Sequence, residues 1–172
     1  MPPTLQHAFT LDVSLSPPLE FGTTPHGYRR FIPITGGRVS GPRLNATILP
    51  GGGDWNAIRG DGMGHLLAKY TIKTDDGVLV SVTNEGWIRK FLNQKVQGQG
   101  QGGDRETGKG EGKVEEESWY AKTNPRFEVQ DGPHGWLNRT VFIGDLRKPR
   151  VPDRVTIDVY AVEEDGIAGA KL

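Results

Sequence analysis

Leu49-Pro50-Gly51-Gly52-Gly53-Asp54-Trp55 passes from an apolar run through three glycines to an acid beside a large aromatic. Glycines allow backbone geometries closed to other residues, so a carboxyl placed here can sit at the mouth of a pocket. Read for chemistry, Asp54 is a general acid or base and Trp55 a flat wall for an aromatic substrate. Read plainly, Asp54 is a turn or cap residue holding backbone N–H groups and Trp55 is a core plug. The loop is not a phosphate cradle: no lysine and serine or threonine follow its glycines, and no helix pattern begins behind it.

Other proton handlers lie further along. His65 can gain or lose a proton near neutral pH, and it shares one face of the run HLLAKYT with Leu67, Lys69 and Thr71, while Leu66, Ala68, Tyr70 and Ile72 form the other. The more apolar face suits a core, although the lumen of a ligand-binding barrel can carry the polar set. Tyr120 adds a phenol, and Arg43 a cation able to stabilise a phenolate or carboxylate, or else an internal ion pair with Asp54 or Asp61. Phe127, Trp136, Asn138 and Phe142 suit a lumen around a planar polyphenol. They suit equally an ordinary core with one satisfied amide.

Several reaction types are excluded by residue type and spacing. The chain has no cysteine, no HExxH, no GxSxG and no strand-linked GxGxxG, and its four histidines are scattered. Thiol nucleophiles, zincin and nucleophile-elbow chemistry and dinucleotide binding are therefore not expected. No metal and no cofactor is expected to be needed.

These residues must be positioned by strands. Glycine (25) and proline (12) punctuate short β-like runs at His7–Val13, Tyr28–Thr35, Arg38–Ile48, Gly64–Lys73, Val78–Gly86, Ser118–Ala121, Arg126–Val129, Leu137–Ile143 and Val155–Val162. Asp75-Asp76-Gly77 predicts a tight hairpin between two of them. The one short helix expected covers Trp87–Val96, with a single turn conceivable at Ala57–Arg59. The pattern predicts a mostly β protein, a closed antiparallel barrel that hides its strand edges and has room for one small ligand. Residues 1–172 read as one domain, with 97–117 a disordered glycine-rich loop insertion that has too little apolar surface to order itself.

Twenty-one basic and 21 acidic side chains give a net charge of zero, which offers no field for nucleic acid or an anionic membrane. No apolar stretch approaches the ~20 residues that span a bilayer, and no leader pattern opens the chain. The expectation is a cytoplasmic protein with neither nucleic acid nor membrane as partner. Assembly into a homo-oligomer stays open.

The run ITGGRVSGPRLNATILPGGGDWNAIRGDG, continuing through KYTIKTDDGVLVSVTNEG within Ile34–Gly86, together with PRFE at Pro125–Glu128 and GWLNRTVFIG at Gly135–Gly144, closely resembles the family catalogued as domain of unknown function 3237. Its signature, GGxxxGPxLxxxxLPGGxDW, is matched from Gly36 to Trp55. The resemblance covers nearly all of the chain outside the glycine-rich insertion and implies a calycin-like, lipocalin-like barrel. Relatives carry acids near 65 and 67 and a base at 69; this chain keeps the base as Lys69 but has His65 and Leu67, which speaks against an acid-based family site at those positions.

The chain looks similar to fungal members of that family that act in natural-product pathways. That likeness implies a cofactor-independent cyclase of polyketide and phenalenone biosynthesis, acting on a prenylated aromatic polyketide. Intramolecular hydroalkoxylation of a phenol onto a prenyl alkene would give a dihydrobenzofuran. On this reading Asp54, His65, Tyr120 and Lys69 handle protons, Arg43 stabilises a phenolate, and Trp55, Phe127, Trp136, Asn138 and Phe142 hold the substrate. The alternative is a non-catalytic, lipocalin-like carrier of a hydrophobic metabolite, with an oligomeric structural protein ranked last.

Overall fold

Alternation along the strands builds the wall of a barrel. In the computed structural model, which describes residues 2–92 and 117–163, the strands are β1 (Thr4–Leu15), β2 (Leu19–Thr24), β3 (Gly27–Ser40), β4 (Ala46–Ile48), β5 (Gly52–Ile58), β6 (Gly64–Thr74), β7 (Leu79–Leu92), β8 (Glu117–Val129), β9 (Phe142–Leu146) and β10 (Arg154–Glu163). The wall runs β3, β1, β10, β9, β8, β7, β6 and returns to β3 through β4 and β5, every neighbour antiparallel. Because β4 and β5 lie end to end between β3 and β6, the barrel closes with eight staves. Closure satisfies backbone groups that an open sheet would leave on its edges. β2 is paired with β3.

The glycine pair of the signature is where β3 changes partners. Residues 28–34 of β3 pair with β5, and residues 37–39 pair with β4. Gly37 has φ +142°, and a Cβ there would stand 2.1 Å from the Asp12 carbonyl oxygen of β1. Only glycine lets β1 and β3 approach so closely at this bend.

One half of the interior is filled. Phe9, Phe127 and Phe142 are buried and meet at 5.0–6.2 Å between ring centroids, with Trp136 at 5.7 Å from Phe142. Beyond this aromatic plug the inward residues line open space instead. On β8 these are Trp119 and Thr123, on β1 Val13 and Leu15, and on β10 Val155 and Ile157. The barrel is therefore plugged at one end and hollow at the other.

Some expected elements differ. Trp87–Leu92, expected in a helix over Trp87–Val96, is the end of β7, paired residue by residue with β8 up to Leu92 opposite Glu117. A 13-residue partner strand outweighs a local helical spacing of apolar residues. Ala57 and Ile58 belong to β5, so no turn forms there. The strand expected at Leu137–Ile143 is replaced by a 3-10 turn, Gly135–Arg139, followed by β9. The Asn138 side chain closes on both backbone groups of Val129, at 2.9 and 2.8 Å, and the Thr140 hydroxyl donates to the Trp136 carbonyl at 2.8 Å. Those bonds hold a turn, not an extended face. Residues 93–116, which contain most of the expected insertion, lie outside the described residues, and Glu117 begins β8.

The Asp75-Asp76-Gly77 hairpin forms, with Gly77 at φ +91° and the Thr74 N–H donating to Val78 at 2.9 Å. Among the described residues no helix is long and apolar enough to cross a membrane.

Candidate active site in the hollow half of the barrel

The hollow half holds a cavity of about 180 Å³. Ile32, Ile34, Leu66, Ile88, Trp119 and Leu146 supply much of its apolar wall. Into it also point Arg30, Asp54, Asn56, Tyr70, Asn84 and Thr123. The exposed Arg147 and Pro149 stand at its rim, where it reaches the surface.

Asp54 and Asn56 come from β5, two residues apart and hence on the same face of the strand. Between Asp54 opposite Ala68 and Ala57 opposite His65, the β5–β6 ladder opens. Two backbone groups freed there are taken up by side chains. The Leu67 N–H donates to Asp54 Oδ1 at 2.8 Å, and Asn56 Nδ2 donates to the His65 carbonyl at 3.3 Å. Asn56 Nδ2 also lies 3.5 Å from Asp54 Oδ2, and Arg30 Nε donates to Asn56 Oδ1 at 2.8 Å. Arg30, Asn56 and Asp54 thus form one chain along the cavity wall. One Asp54 oxygen anchors the Leu67 backbone and the other faces Asn56 in the cavity.

Burial pushes the Asp54 carboxyl above its ordinary value of 3.8; the Leu67 N–H, the Asn56 amide and the charges of Arg30 and His65 oppose the shift without cancelling it. Raising a carboxyl's pKa favours its neutral, proton-donating form. The Tyr70 phenol is likewise pushed up by burial.

Of the ten side chains singled out from the sequence, Asp54 alone lines this cavity. His65 and Lys69 occupy the opposite face of β6 from Leu66, Ala68 and Tyr70, so the apolar face is the one turned inward. His65 bonds Glu85 at 2.9 Å and lies 4.8 Å from the Trp87 ring. Lys69 borders a shallow outer groove together with Trp55, which is 40% exposed and rests 4.9 Å from Phe31. Tyr120 is 45% exposed on the outer face of β8.

Arg43 pairs with neither Asp54 nor Asp61. It bonds Glu163 at 2.7 Å and sits 4.1 Å over the Trp136 ring, at the plugged end, while Asp61 pairs with Arg59 at 2.9 Å. Phe127, Trp136 and Phe142 form the plug, and Asn138 is spent on Val129. None of the four touches the cavity.

Arg30, Asn56, Tyr70, Asn84 and Thr123 escaped notice. Arg30, Tyr70, Asn84 and Thr123 share one signal, a polar residue in phase with an apolar strand face, as Asn84 is with Val80, Val82 and Ile88, whereas Asn56 shares its face of β5 with Asp54 and carries no such signal.

The protein is a closed antiparallel barrel, plugged by aromatic side chains at one end and hollow, with a partly polar wall, at the other. The chain belongs to the family described as "Protein of unknown function (DUF3237)", whose profile matches residues 3–162. It is similar to the UPF0311 protein RPA1785 of Rhodopseudomonas palustris, 36% identical over 164 residues that cover 94% of this chain and 99% of the relative. A UPF0311 protein of Clostridium acetobutylicum is 29% identical over 158 residues, covering 91% and 92%. Among solved structures, a beta-barrel like protein from Acinetobacter baumannii superposes with a TM-score of 0.78 at 30% identity, over 95% of this chain and 98% of that one. A structure described as an enzyme from Penicillium herquei shares the fold, with a TM-score of 0.67 at 18% identity over 95% and 96%.

Proposed function

We propose that the protein is a cofactor-independent acid–base catalyst that cyclises a small, largely apolar organic molecule inside the barrel. The observation that carries this reading is Asp54: a carboxyl whose pKa burial raises, on the wall of an otherwise mostly apolar cavity. A neutral carboxyl in such surroundings is a stronger candidate to protonate a weak base than a solvated one.

The particular reaction we propose is intramolecular addition of a phenolic hydroxyl across a prenyl alkene. Asp54 gives its proton to the terminal carbon of a 1,1-dimethylallyl alkene, leaving a cation on the internal carbon, which becomes the stereocentre of the five-membered ring. The phenol oxygen forms the C–O bond to that cation, and its proton returns to the Asp54 carboxylate. Atoms balance within the substrate, and no electron carrier enters. The apolar wall keeps water from the cation, and a folded substrate places oxygen and cation within bonding reach. A barrel of this shape is also found in a structure described as an enzyme.

The test is incubation of the purified protein, without added cofactor, with a prenylated phenalenone, followed by chiral chromatography. Enantioenriched cyclised product with multiple turnovers is the expected result. Stoichiometric binding with only racemic background product would make the barrel a carrier.

A further inference from the structure

Three polar atoms at the inner end of the cavity have no hydrogen-bond partner among the described residues: Tyr70 Oη, Asn84 Oδ1 and Thr123 Oγ1. Their residues are 6%, 3% and 5% exposed, and all three line the cavity. Buried polar groups are normally paired, and leaving one unpaired costs free energy. Three on successive strands of one cavity wall, each buried and unpartnered, mark a site for a polar group that comes from outside the chain.

Their placement follows from register. Tyr70 is on β6, Asn84 on β7 and Thr123 on β8, successive staves of the wall. Asn84 lies two residues beyond Val82, the partner of Tyr70, and two residues before Gly86, the partner of Thr123. The three therefore form a diagonal row, with neighbours about 7 Å apart at the backbone. On each strand the next inward residue toward the plug, Ile72, Val82 or Pro125, is buried. The row is the floor of the cavity.

Thr123 has glycine opposite it on both sides, Gly86 on β7 and Gly144 on β9. A Cβ at Gly144 would stand 2.2 Å from Thr123 Oγ1, so this hydroxyl can take its place on the wall only because glycine lies opposite it.

We infer that this floor binds the neutral hydroxyl head of an aromatic alcohol, with the ring lying against the apolar wall toward Asp54. Asn84 Oδ1, in the middle of the row, accepts from the ligand hydroxyl, and the Thr123 hydroxyl next to it donates to the ligand oxygen. The head is neutral because the three groups bring no charge, and the cation of the cavity wall, Arg30, is on β3 and donates to Asn56. The inference rests on the same cavity as the proposed function and names the class of molecule it admits.

The test is calorimetric titration with three probes of one shape: 2-naphthol, 2-methylnaphthalene and 2-naphthoate. Expected is 2-naphthol binding at least about tenfold tighter than 2-methylnaphthalene. The preference should vanish in Tyr70→Phe/Asn84→Leu/Thr123→Val and shrink about threefold in Thr123→Val alone. The Tm of Thr123→Val should not fall, since an unpaired hydroxyl is exchanged for an isosteric methyl. A preference undiminished in Thr123→Val, a lowered Tm for that variant, or 2-naphthoate binding tighter than 2-naphthol would overturn the inference.

The wild-type protein separates the two claims. Head-group preference in a wild type that turns over no prenylated phenol would overturn the catalytic reading alone, whereas turnover without head-group preference would overturn this inference alone.

Discussion

Asp54 and Asn84 both face Ala68, one from each side, so a single methyl group separates them along a row of the wall. Two inter-strand steps put their backbones about 10 Å apart, and both side chains point into the cavity. An acid and a hydroxyl-binding amide thus flank a slot that a larger residue at 68 would fill. Ala68→Leu should therefore lower affinity for 2-naphthol by about tenfold or more, read by titration. Unchanged affinity would mean the ligand does not lie between Asp54 and Asn84.

The raised pKa of Asp54 makes a stability prediction of definite sign. The folded chain holds this proton to higher pH than the unfolded chain does. The stability Asp54 contributes is fully present below its unfolded value, near 3.8, and is lost as pH rises through the raised folded value. Asp54→Asn keeps a neutral group in place at every pH. Calorimetry should show the Tm of the variant gaining on the wild type as pH rises from the unfolded value, near 3.8, through the raised folded value. A constant difference would mean that Asp54 is not held neutral by its surroundings.

Arg30 tunes that acid. Its charge lowers the Asp54 pKa, and its Nε reaches Asp54 through Asn56. Arg30→Met should move the limb on which kcat falls with rising pH to higher pH, since only protonated Asp54 donates. A limb that stays in place would assign it to another group.

Side chains outside the cavity should be dispensable for turnover. Lys69→Ala and Tyr120→Phe alter the outer faces of β6 and β8 and should leave kcat/KM within about twofold of wild type. A tenfold loss in either would relocate the chemistry to the outer surface.

Asn138→Ala should behave as a structural lesion. It leaves the N–H and C=O of Val129 without the bonds now made at 2.9 and 2.8 Å, at a cost of about 2–3 kcal/mol in denaturant unfolding. Its effect on 2-naphthol affinity should be negligible below the unfolding transition.

The barrel was legible because strand alternation and turn residues act locally. Asp75-Asp76-Gly77 announces its own hairpin, and β6 displays two faces that differ plainly in polarity. β5 was not legible: Gly52-Gly53-Asp54 reads as loop, and it becomes strand only because β3 and β6 stand on either side to pair with it. The Trp87–Leu92 segment was misjudged for the same reason, since its partner lies beyond residues 93–116 in the chain.

For the site, Asp54 stood out through its unusual neighbours. Tyr70, Asn84 and Thr123 did not, because what sets them apart is convergence. Each is an ordinary residue on its own strand, and the row exists only when three strands are in register. The aromatics drew attention for their size, yet burial of large rings is what a plug requires, so Phe127, Trp136 and Phe142 went to the closed end.

The most direct measurement compares wild type and Asp54→Asn on a prenylated phenol, each at saturating substrate with binding checked by titration. The account predicts enantioenriched cyclised product from the wild type, and from the variant only background racemate at near-normal affinity. Equal turnover by both proteins would contradict it, because the carboxyl in the cavity wall would then not be the proton donor.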